Sequence, residues 1–236
     1  MSFTDSQSPA SPPSLSRRTV AHGLAWTVPA VAAAAAAPAF AVSCANPAAF
    51  TGRFTQANVY GTPPSTYTWS AAGRTPITLS LNTVADSGKS LTPNNLTSAG
   101  GINQGYNGLG DLRADGLLLQ QSGSGGQRLT ITFSRPVTNL QFTIADVDWL
   151  RSRYRDAIVL DPEPTSVTNG PPLQGNGTTG SPVRAVSAGE VRSDTEANRS
   201  VVTYAGPINS FTLYFSSTDG TTAQQIFLTG LTFFAC

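Results

Sequence analysis

The sequence predicts an all-β fold in which two antiparallel sheets pack face to face as a β-sandwich with a jelly-roll-like strand order. Three observations support this prediction. Apolar and polar residues alternate in several short segments, which is the period of a strand with one buried face. Thr, Val and Phe are enriched in those segments, and Gly, Pro and Asn separate them. Helical periodicity is nearly absent after residue 41, so the elements belong to two packed sheets.

The strongest alternation is in "QRLTITFS", where Leu129, Ile131 and Phe133 share one face of an extended segment. The same alternation predicts further strands in "ITLSLNT", "NLQFTIAD", "SFTLYF" and "QQIFLTGLTFFAC". In the last of these, Gly230 predicts a bulge or bend. Shorter strands are predicted at 67–70, 117–121, 156–160 and 200–204, which brings the total to about nine.

Two long polar segments, 86–116 and 161–200, separate groups of these strands. Loops of such length are usually functional or disordered. Neither an internal repeat nor a break in composition points to a second domain. We therefore predict a single β-sandwich domain over 42–236.

Residues 1–41 have the order of an export signal. A polar lead rich in Ser and Pro is followed by Arg17-Arg18 and by an apolar run that closes on Ala39-Phe40-Ala41. Two prolines interrupt that run and alanine is weakly hydrophobic, so a permanent membrane anchor is the poorer interpretation. The paired arginines resemble a twin-arginine signal, which carries folded cargo across a bacterial membrane. The prediction is a cleaved signal peptide and a secreted or cell-surface protein.

Cleavage after residue 41 would change the available chemistry. The single histidine, His22, would be lost, which excludes a Ser-His-Asp hydrolase, a Cys-His protease and a His-ligated zinc site in the mature chain. Loss of Asp5 and Arg17-Arg18 would leave equal numbers of acidic and basic side chains. A neutral domain has no electrostatic attraction to nucleic acid or to an anionic membrane, so we expect neither as a partner.

The two cysteines, Cys44 and Cys236, would lie near the two ends of the mature chain. In an oxidising exterior we expect them to form a disulfide, which the chain-entropy model values at about 4–5 kcal/mol for a loop of this length. Two free thiols or an intermolecular bridge are the alternatives. A disulfide requires the first and last strands to lie side by side, as the terminal strands of a jelly roll can.

The densest group of chemically active residues is in "FTIADVDWLRSRYRDAIVL", 142–160. Asp146 and Asp148 are two residues apart at the predicted end of a strand, so both carboxylates should project to one side, and Asp156 follows in the next strand. Together these three acids predict a structural calcium site completed by backbone carbonyls. The alternative is that the acids cap turns or accept hydrogen bonds from the neighbouring arginines.

Four residues between these acids are candidates for ligand binding: Trp149, Arg151, Arg153 and Tyr154. An aromatic ring can take the apolar face of a sugar, and a guanidinium can bind its hydroxyl groups. The alternative is a solvated hairpin whose side chains pair with one another at the rim of the sandwich.

The segments "FSRPVTNLQFTIADVD", "YRDAIVL" and "QQIFLTGLTFFAC" together resemble the jelly-roll-like domains of bacterial secreted and surface proteins. The resemblance places Asp146, Asp148 and Asp156 at the acidic positions of that pattern. The N-terminal segment is similar to the signals of small actinobacterial exported proteins. Because fold does not fix function, the resemblance implies an exported sandwich and little about activity.

The sequence-based prediction of function is a non-enzymatic module of the cell envelope or exterior that binds a glycan or a surface protein through its edge loops. It requires no cofactor other than the proposed structural calcium. The alternatives are a purely structural secreted protein and a glycan-cleaving enzyme that uses two carboxylates, such as Asp146 and Asp148. The sequence gives no indication of the oligomeric state.

Overall fold

The computed structural model of the chain describes residues 46–52, 54, 65–86, 89–93, 95–97, 116–123, 125–189, 196–217, 222–229 and 231–236. All of these residues belong to one unit, Asn46–Cys236. Apart from a short 3₁₀ turn at Glu196–Asn198, the regular elements described are strands. The strands are β1 (Ala48–Thr51), β2 (Thr66–Trp69), β3 (Ile77–Ala85), β4 (Lys89–Leu91), β5 (Leu117–Gly123), β6 (Gly125–Ala145), β7 (Trp149–Leu150), β8 (Tyr154–Asp161), β9 (Ser166–Asn169), β10 (Leu173–Gln174), β11 (Arg184–Ala185), β12 (Ser200–Tyr204), β13 (Ile208–Ser217), β14 (Gln224–Leu228) and β15 (Thr232–Ala235).

The strands form an antiparallel two-layer sandwich, as the sequence predicts. One sheet has the order β2, β3, first half of β6, β13, β8, β7. The other has the order β4, β5, β14, second half of β6, β12, β9, with β15 following β14 along β6 and pairing with β1. The all-β sandwich is therefore confirmed, and the jelly-roll order within it stays a prediction.

Strand β6 belongs to both sheets, whereas the sequence predicted two separate strands at 129–133 and 140–144. The change of sheet occurs around Pro136, which has no N–H to donate, and the register against β13 shifts between Ser210 and Ile208. Asn139 has a positive φ of 49°. Because a bent strand can pass from one layer to the other without a turn, the two predicted strands are one continuous strand.

The core lies between the two sheets and is built by alternate residues of each long strand. On β6, Leu129 and Ile131 face the core from one sheet, and Leu140 and Ile144 face it from the other, all fully buried. Facing residues from the neighbouring strands complete this layer: Ile77, Leu79, Ile158, Leu160, Val202, Phe211, Leu213, Phe215, Ile226 and Leu228. The apolar alternation thus identified the buried face correctly.

The segment 161–200 contains more regular structure than the long loop that the sequence predicted. It begins in the last residue of β8, contains β9, β10 and β11, and ends at the start of β12. Strand β9 pairs with β12 at the edge of its sheet, and β10 pairs with β11 in a small ribbon. These strands have two to four residues, too short for periodicity to reveal. In the other predicted loop, β4 is described and 98–115 lie outside the described residues.

The first and last strands pair with each other, as the predicted disulfide requires. Ala48 lies opposite Ala235, and the pairing continues to Thr51 and Thr232. Cys236 directly follows β15 and is not a free thiol, while Cys44 lies outside the described residues. The pairing of Cys44 with Cys236 therefore stays a prediction. The signal peptide at 1–41 and the bend at Gly230 also lie outside the described residues and stay predictions.

Within the described part of the chain there is no helix whose length and hydropathy would allow it to span a membrane.

Candidate functional site

The predicted ligand-binding residues lie in a tight hairpin, residues 149–156, that we call the arginine hairpin. Trp149 pairs with Arg155 and Leu150 with Tyr154, which leaves a three-residue turn at 151–153. The turn is closed by a hydrogen bond from the Arg153 N–H to the Leu150 carbonyl, 2.9 Å. Ser152 takes the left-handed conformation with a φ of 64°, the geometry expected where a short hairpin loop reverses direction.

Contacts with other segments fix the backbone of the hairpin. The Trp149 carbonyl accepts a hydrogen bond from the Gly189 N–H at 2.6 Å, and the Arg153 carbonyl accepts one from the Thr222 hydroxyl at 3.0 Å. The Arg155 N–H donates to the Ser217 hydroxyl of β13 at 3.2 Å. The hairpin is therefore held at its base and close to its tip, which limits the conformations of the turn.

The Trp149 side chain supports the hairpin from within. Its ring is partly buried against the core, and the Arg155 guanidinium lies over it, 4.3 Å from the ring centroid. Arg155 also donates to the Ala185 carbonyl at 3.1 Å. Arg155 of the same hairpin therefore covers one face of the Trp149 ring. On that face an intramolecular cation–π contact takes the place of the stacking expected for a sugar.

Arg151 and Arg153 are exposed at the tip, on either side of Ser152. Neither guanidinium forms an ion pair with a carboxylate of the described residues. The ion pair found among those residues joins Arg128 to Asp86. Tyr154 points the other way, and its hydroxyl donates to Asp148 Oδ2 at 3.4 Å. The four predicted residues thus separate into two exposed cations and two inward aromatic side chains.

Two of the three predicted calcium ligands, Asp148 and Asp156, face each other at the base of the hairpin. The Asp148 N–H donates to Asp156 Oδ2 at 3.1 Å, and the Asp156 N–H donates to the Asp148 carbonyl at 3.0 Å. Asp156 is fully buried and Asp148 is 4% exposed. The two residues are therefore joined through the Asp148 backbone, and their side chains lie away from water within electrostatic reach of each other.

The Asp146 side chain contacts strand β14. Strand β6 ends at Ala145, and Asp146 takes a left-handed φ of 67°, so the alternation assumed from the sequence does not continue to Asp148. Its Oδ2 accepts a hydrogen bond from Gln225 Nε2 of β14 at 3.1 Å. Among the residues that the structure describes, no three acidic, histidine or cysteine side chains form a group able to hold a metal ion.

Burial dominates the electrostatics of this cluster. It raises the pKa of Asp156 well above its usual value, and repulsion by Asp148 and Asp146 acts in the same direction. Burial also lowers the pKa of Lys89 on β4, while Asp156 opposes that change. Lys89 and Asp156 therefore lie within electrostatic reach of each other across the sandwich.

Further polar residues, which the sequence analysis missed, join these acids between the sheets. Lys89 Nζ donates to Gln224 Oε1 at 3.3 Å and to the Gly123 carbonyl, and Gln121 Nε2 donates to the Phe215 carbonyl at 3.2 Å. We call this group the polar end of the sandwich; it consists of Lys89, Gln121, Asp148, Asp156 and Gln224. The signal was present in the sequence, because Gln121 and Gln224 stand at inward positions of β5 and β14.

Some buried polar atoms near this end have no hydrogen-bond partner among the described residues. They include Asp156 Oδ1 and Gln121 Oε1, both acceptors, and Gln127 Nε2, a donor on β6. An unpaired buried polar group costs about 1–3 kcal/mol, so native structures rarely retain one without a bound water, ion or other role.

Comparisons with known proteins add no identity: no family model matches the chain, and neither a curated protein nor a solved structure matches it.

Proposed function

We propose that the chain is an exported, non-enzymatic module that binds an acidic polysaccharide of a bacterial surface through the arginine hairpin. The observation that carries this proposal is the pair of exposed guanidinium groups, Arg151 and Arg153, on a turn whose backbone is fixed at both ends. Export rests on the sequence of residues 1–41.

The chemistry of the two arginines favours an anionic ligand. A guanidinium presents a planar fork of donors that matches a carboxylate or phosphate, and it keeps its charge at any physiological pH. Neither group is paired with a carboxylate of the described residues. Uronic acids and phosphate-linked polymers carry the complementary groups among sugar hydroxyls.

The rigidity of the hairpin supports recognition rather than a merely solvated loop. Binding costs less conformational entropy when the contacting segment is already ordered. The cation–π contact of Arg155 with Trp149 and the hydrogen bonds from Gly189 and Thr222 supply that order. Trp149 and Tyr154 then act by positioning the tip, which refines the role that the sequence suggested for them.

Binding is a better account of the acidic residues than glycan cleavage. A glycosidase needs two carboxyl groups that touch the scissile bond. Asp156 is fully buried and Asp148 is 4% exposed, so a polymer cannot reach this pair in the described conformation.

The test is co-sedimentation of the full 236-residue chain with insoluble cross-linked polygalacturonate, cellulose and isolated bacterial cell walls. We expect saturable binding to the acidic polymer or the cell walls, little binding to cellulose, and weaker binding at high salt because exposed charges are screened. The double variant Arg151→Ala/Arg153→Ala should raise the Kd at least about tenfold, since a hydrogen bond to a charged group contributes about 1.5–3 kcal/mol.

The matched control is Arg74→Ala. Arg74 is also exposed, but it lies in the β2–β3 turn at the opposite end of the sandwich, and its loss should leave binding unchanged. Absence of sedimentation with every polymer, or equal effects of the hairpin and control variants, would overturn the proposal. A purely structural role would then be the better account.

A further inference from the structure

We propose that the chain binds a calcium ion between its sheets at the polar end, held by the carboxylates of Asp148 and Asp156 together with uncharged oxygen atoms. This site is separate from the exposed guanidinium groups of the arginine hairpin, and it does not depend on polysaccharide binding.

The first line of evidence is that the backbone holds two buried aspartates next to each other. Asp148 follows β6 and Asp156 belongs to β8, and reciprocal hydrogen bonds of 3.1 and 3.0 Å join the two residues. Both side chains are more than nine-tenths buried. Two acidic residues buried next to each other repel when both are ionised, and a cation bound by Asp156 would offset that repulsion.

The second line of evidence is the lack of donors for two buried oxygen atoms. Asp156 Oδ1 has no hydrogen-bond partner among the described residues although its own residue is fully buried. Gln121 Oε1, on the opposite sheet, is likewise without one. The Gln121 side chain reaches across to the Phe215 carbonyl of β13, the strand that pairs with β8. Buried acceptors that lack donors are the pattern expected around a bound cation.

The third line of evidence is the position of the nearest buried cation. Lys89 is the buried cation described at this end, and its ammonium is directed to the Gly123 carbonyl and Gln224 Oε1. Asp156 forms no ion pair within 4.0 Å of its oxygens among the described residues. The ammonium therefore acts on Asp156 only at longer range, and a divalent cation would supply the direct counter-charge.

The donor chemistry selects the class of ion. Carboxylate and amide oxygens suit hard cations, and calcium accepts six to eight of them in irregular geometry, whereas magnesium requires a near-ideal octahedron. A ligand set of two carboxylates with amide and backbone oxygens needs no third acidic side chain. It is therefore consistent with the finding that three such side chains do not converge in the described part of the chain. The predicted three-aspartate site is thereby narrowed to two, with Asp146 outside the ligand set.

The test uses the full chain with calcium chloride, magnesium chloride or a chelator, followed by isothermal titration calorimetry and thermal unfolding. We expect saturable calcium binding at one site, a Tm several degrees higher in calcium than in chelator, and little response to magnesium. Asp156→Asn should abolish both calcium effects. The matched control is Asp161→Asn at the exposed end of the same strand, which should preserve them.

A luminescence measurement locates the ion even if Asp156→Asn fails to fold. Terbium, a calcium substitute, should emit strongly when tryptophan is excited, because Trp149 adjoins Asp148. Trp149→Phe should reduce that emission severalfold, whereas Trp69→Phe, at the far end of the sandwich, should not. An equal Tm and no heat in the presence of calcium would overturn the proposal. Calcium binding that survives Asp156→Asn, or emission unaffected by Trp149→Phe, would overturn the location.

Discussion

The two ends of the inter-sheet space contrast in chemistry, and different strands supply the side chains of each. One end, which we call the aromatic end, is filled by rings: Phe233 stacks on Phe50 at 5.4 Å and meets the edge of Phe133 at 5.4 Å, with Trp69 at 5.9 Å. The polar end holds carboxyl, amide and ammonium groups in the same layer. The contrast shows that a sandwich core can be sealed by packing at one end and carry buried polar groups at the other.

The two ends differ because aromatic rings and buried polar groups need different surroundings to be stable. Aromatic rings gain from burial itself and from their edge-to-face contacts, so they need no outside partner. Buried charges and amides are stable only when each has a counterpart. Stability at the aromatic end should therefore be the same in calcium and in chelator, and stability at the polar end should differ between them.

The largest expected effect is at the aromatic end. Phe233→Ala should lower the free energy of unfolding by about 3–5 kcal/mol, because it removes a ring that three others contact and leaves a cavity. Urea unfolding at equilibrium measures the change, which should be the same in calcium and in chelator. Phe234→Ala is the control, since that side chain is 39% exposed and should cost much less. A loss that depends on calcium would break the distinction between the two ends.

A smaller effect is expected at the polar end from Gln224→Ala. The Gln224 side chain accepts hydrogen bonds from Lys89 and Gln121 and donates to the Thr222 carbonyl at 2.9 Å. Its removal takes away one acceptor from each of these two buried donors, so urea unfolding should show a loss of about 1–3 kcal/mol. Gln141→Ala, at an exposed position of β6, should change stability little. Equal effects of the two variants would mean that the polar network does not stabilise the fold.

The smallest expected effect is a gain, at a polar atom that interrupts the aromatic end. The Tyr67 hydroxyl is buried beside Phe54 without a hydrogen-bond partner among the described residues, so Tyr67→Phe should stabilise the fold by about 1 kcal/mol in thermal or urea unfolding. Tyr204→Phe is the opposite case, because the Tyr204 hydroxyl donates to the Pro162 carbonyl at 2.8 Å and its loss should destabilise. Changes of the same sign in both variants would contradict this interpretation.

The Tyr67 variant also has a pH signature. Burial raises the pKa of Tyr67 to about 12, above its unfolded value of 10.0. A raised pKa contributes stability that is complete below the unfolded value and is lost as the pH rises from there through about 12. Unfolding measured from pH 9 to about 12 should therefore show an additional loss for the wild-type chain that Tyr67→Phe lacks.

Much of the fold could be predicted from the sequence because alternation reports directly on burial. The inward residues of the long strands, such as Leu129 and Ile131 on β6 and Leu213 on β13, follow a period of two that no other element produces. The positions of the long strands and the identity of their buried face could therefore be predicted together.

Other features of the fold could not be predicted in the same way. Two predicted strands proved to be the single strand β6, because a bend around Pro136 looks like a loop when only local periodicity is considered. Strands of two residues, such as β7 and β10, are too short to show any period. Their pairing depends on contacts that form only in the folded chain.

The candidate site was predicted in part. The sequence predicted that Asp146, Asp148 and Asp156 lie together. Hydrogen bonds join Asp148 to Asp156, but the left-handed φ of Asp146, which alternation cannot reveal, directs its side chain to Gln225. The ligand-binding role of Trp149 stays a prediction, and its cation–π contact with Arg155 could not be foreseen because that contact depends on the hairpin register. Lys89 and Gln121 were missed because their partners are distant in sequence and become neighbours only when the sheets pack.

The membership of strand β6 in both sheets affects how the domain unfolds. The first half of β6 carries the ladders to β3 and β13, and its second half carries those to β12, β14 and β15. Neither layer can open without disturbing a strand that the other also uses, so partial unfolding of a single layer is disfavoured. Hydrogen exchange should find the β6 amides from both layers opening together, in one cooperative unit with the slowest rates in the chain.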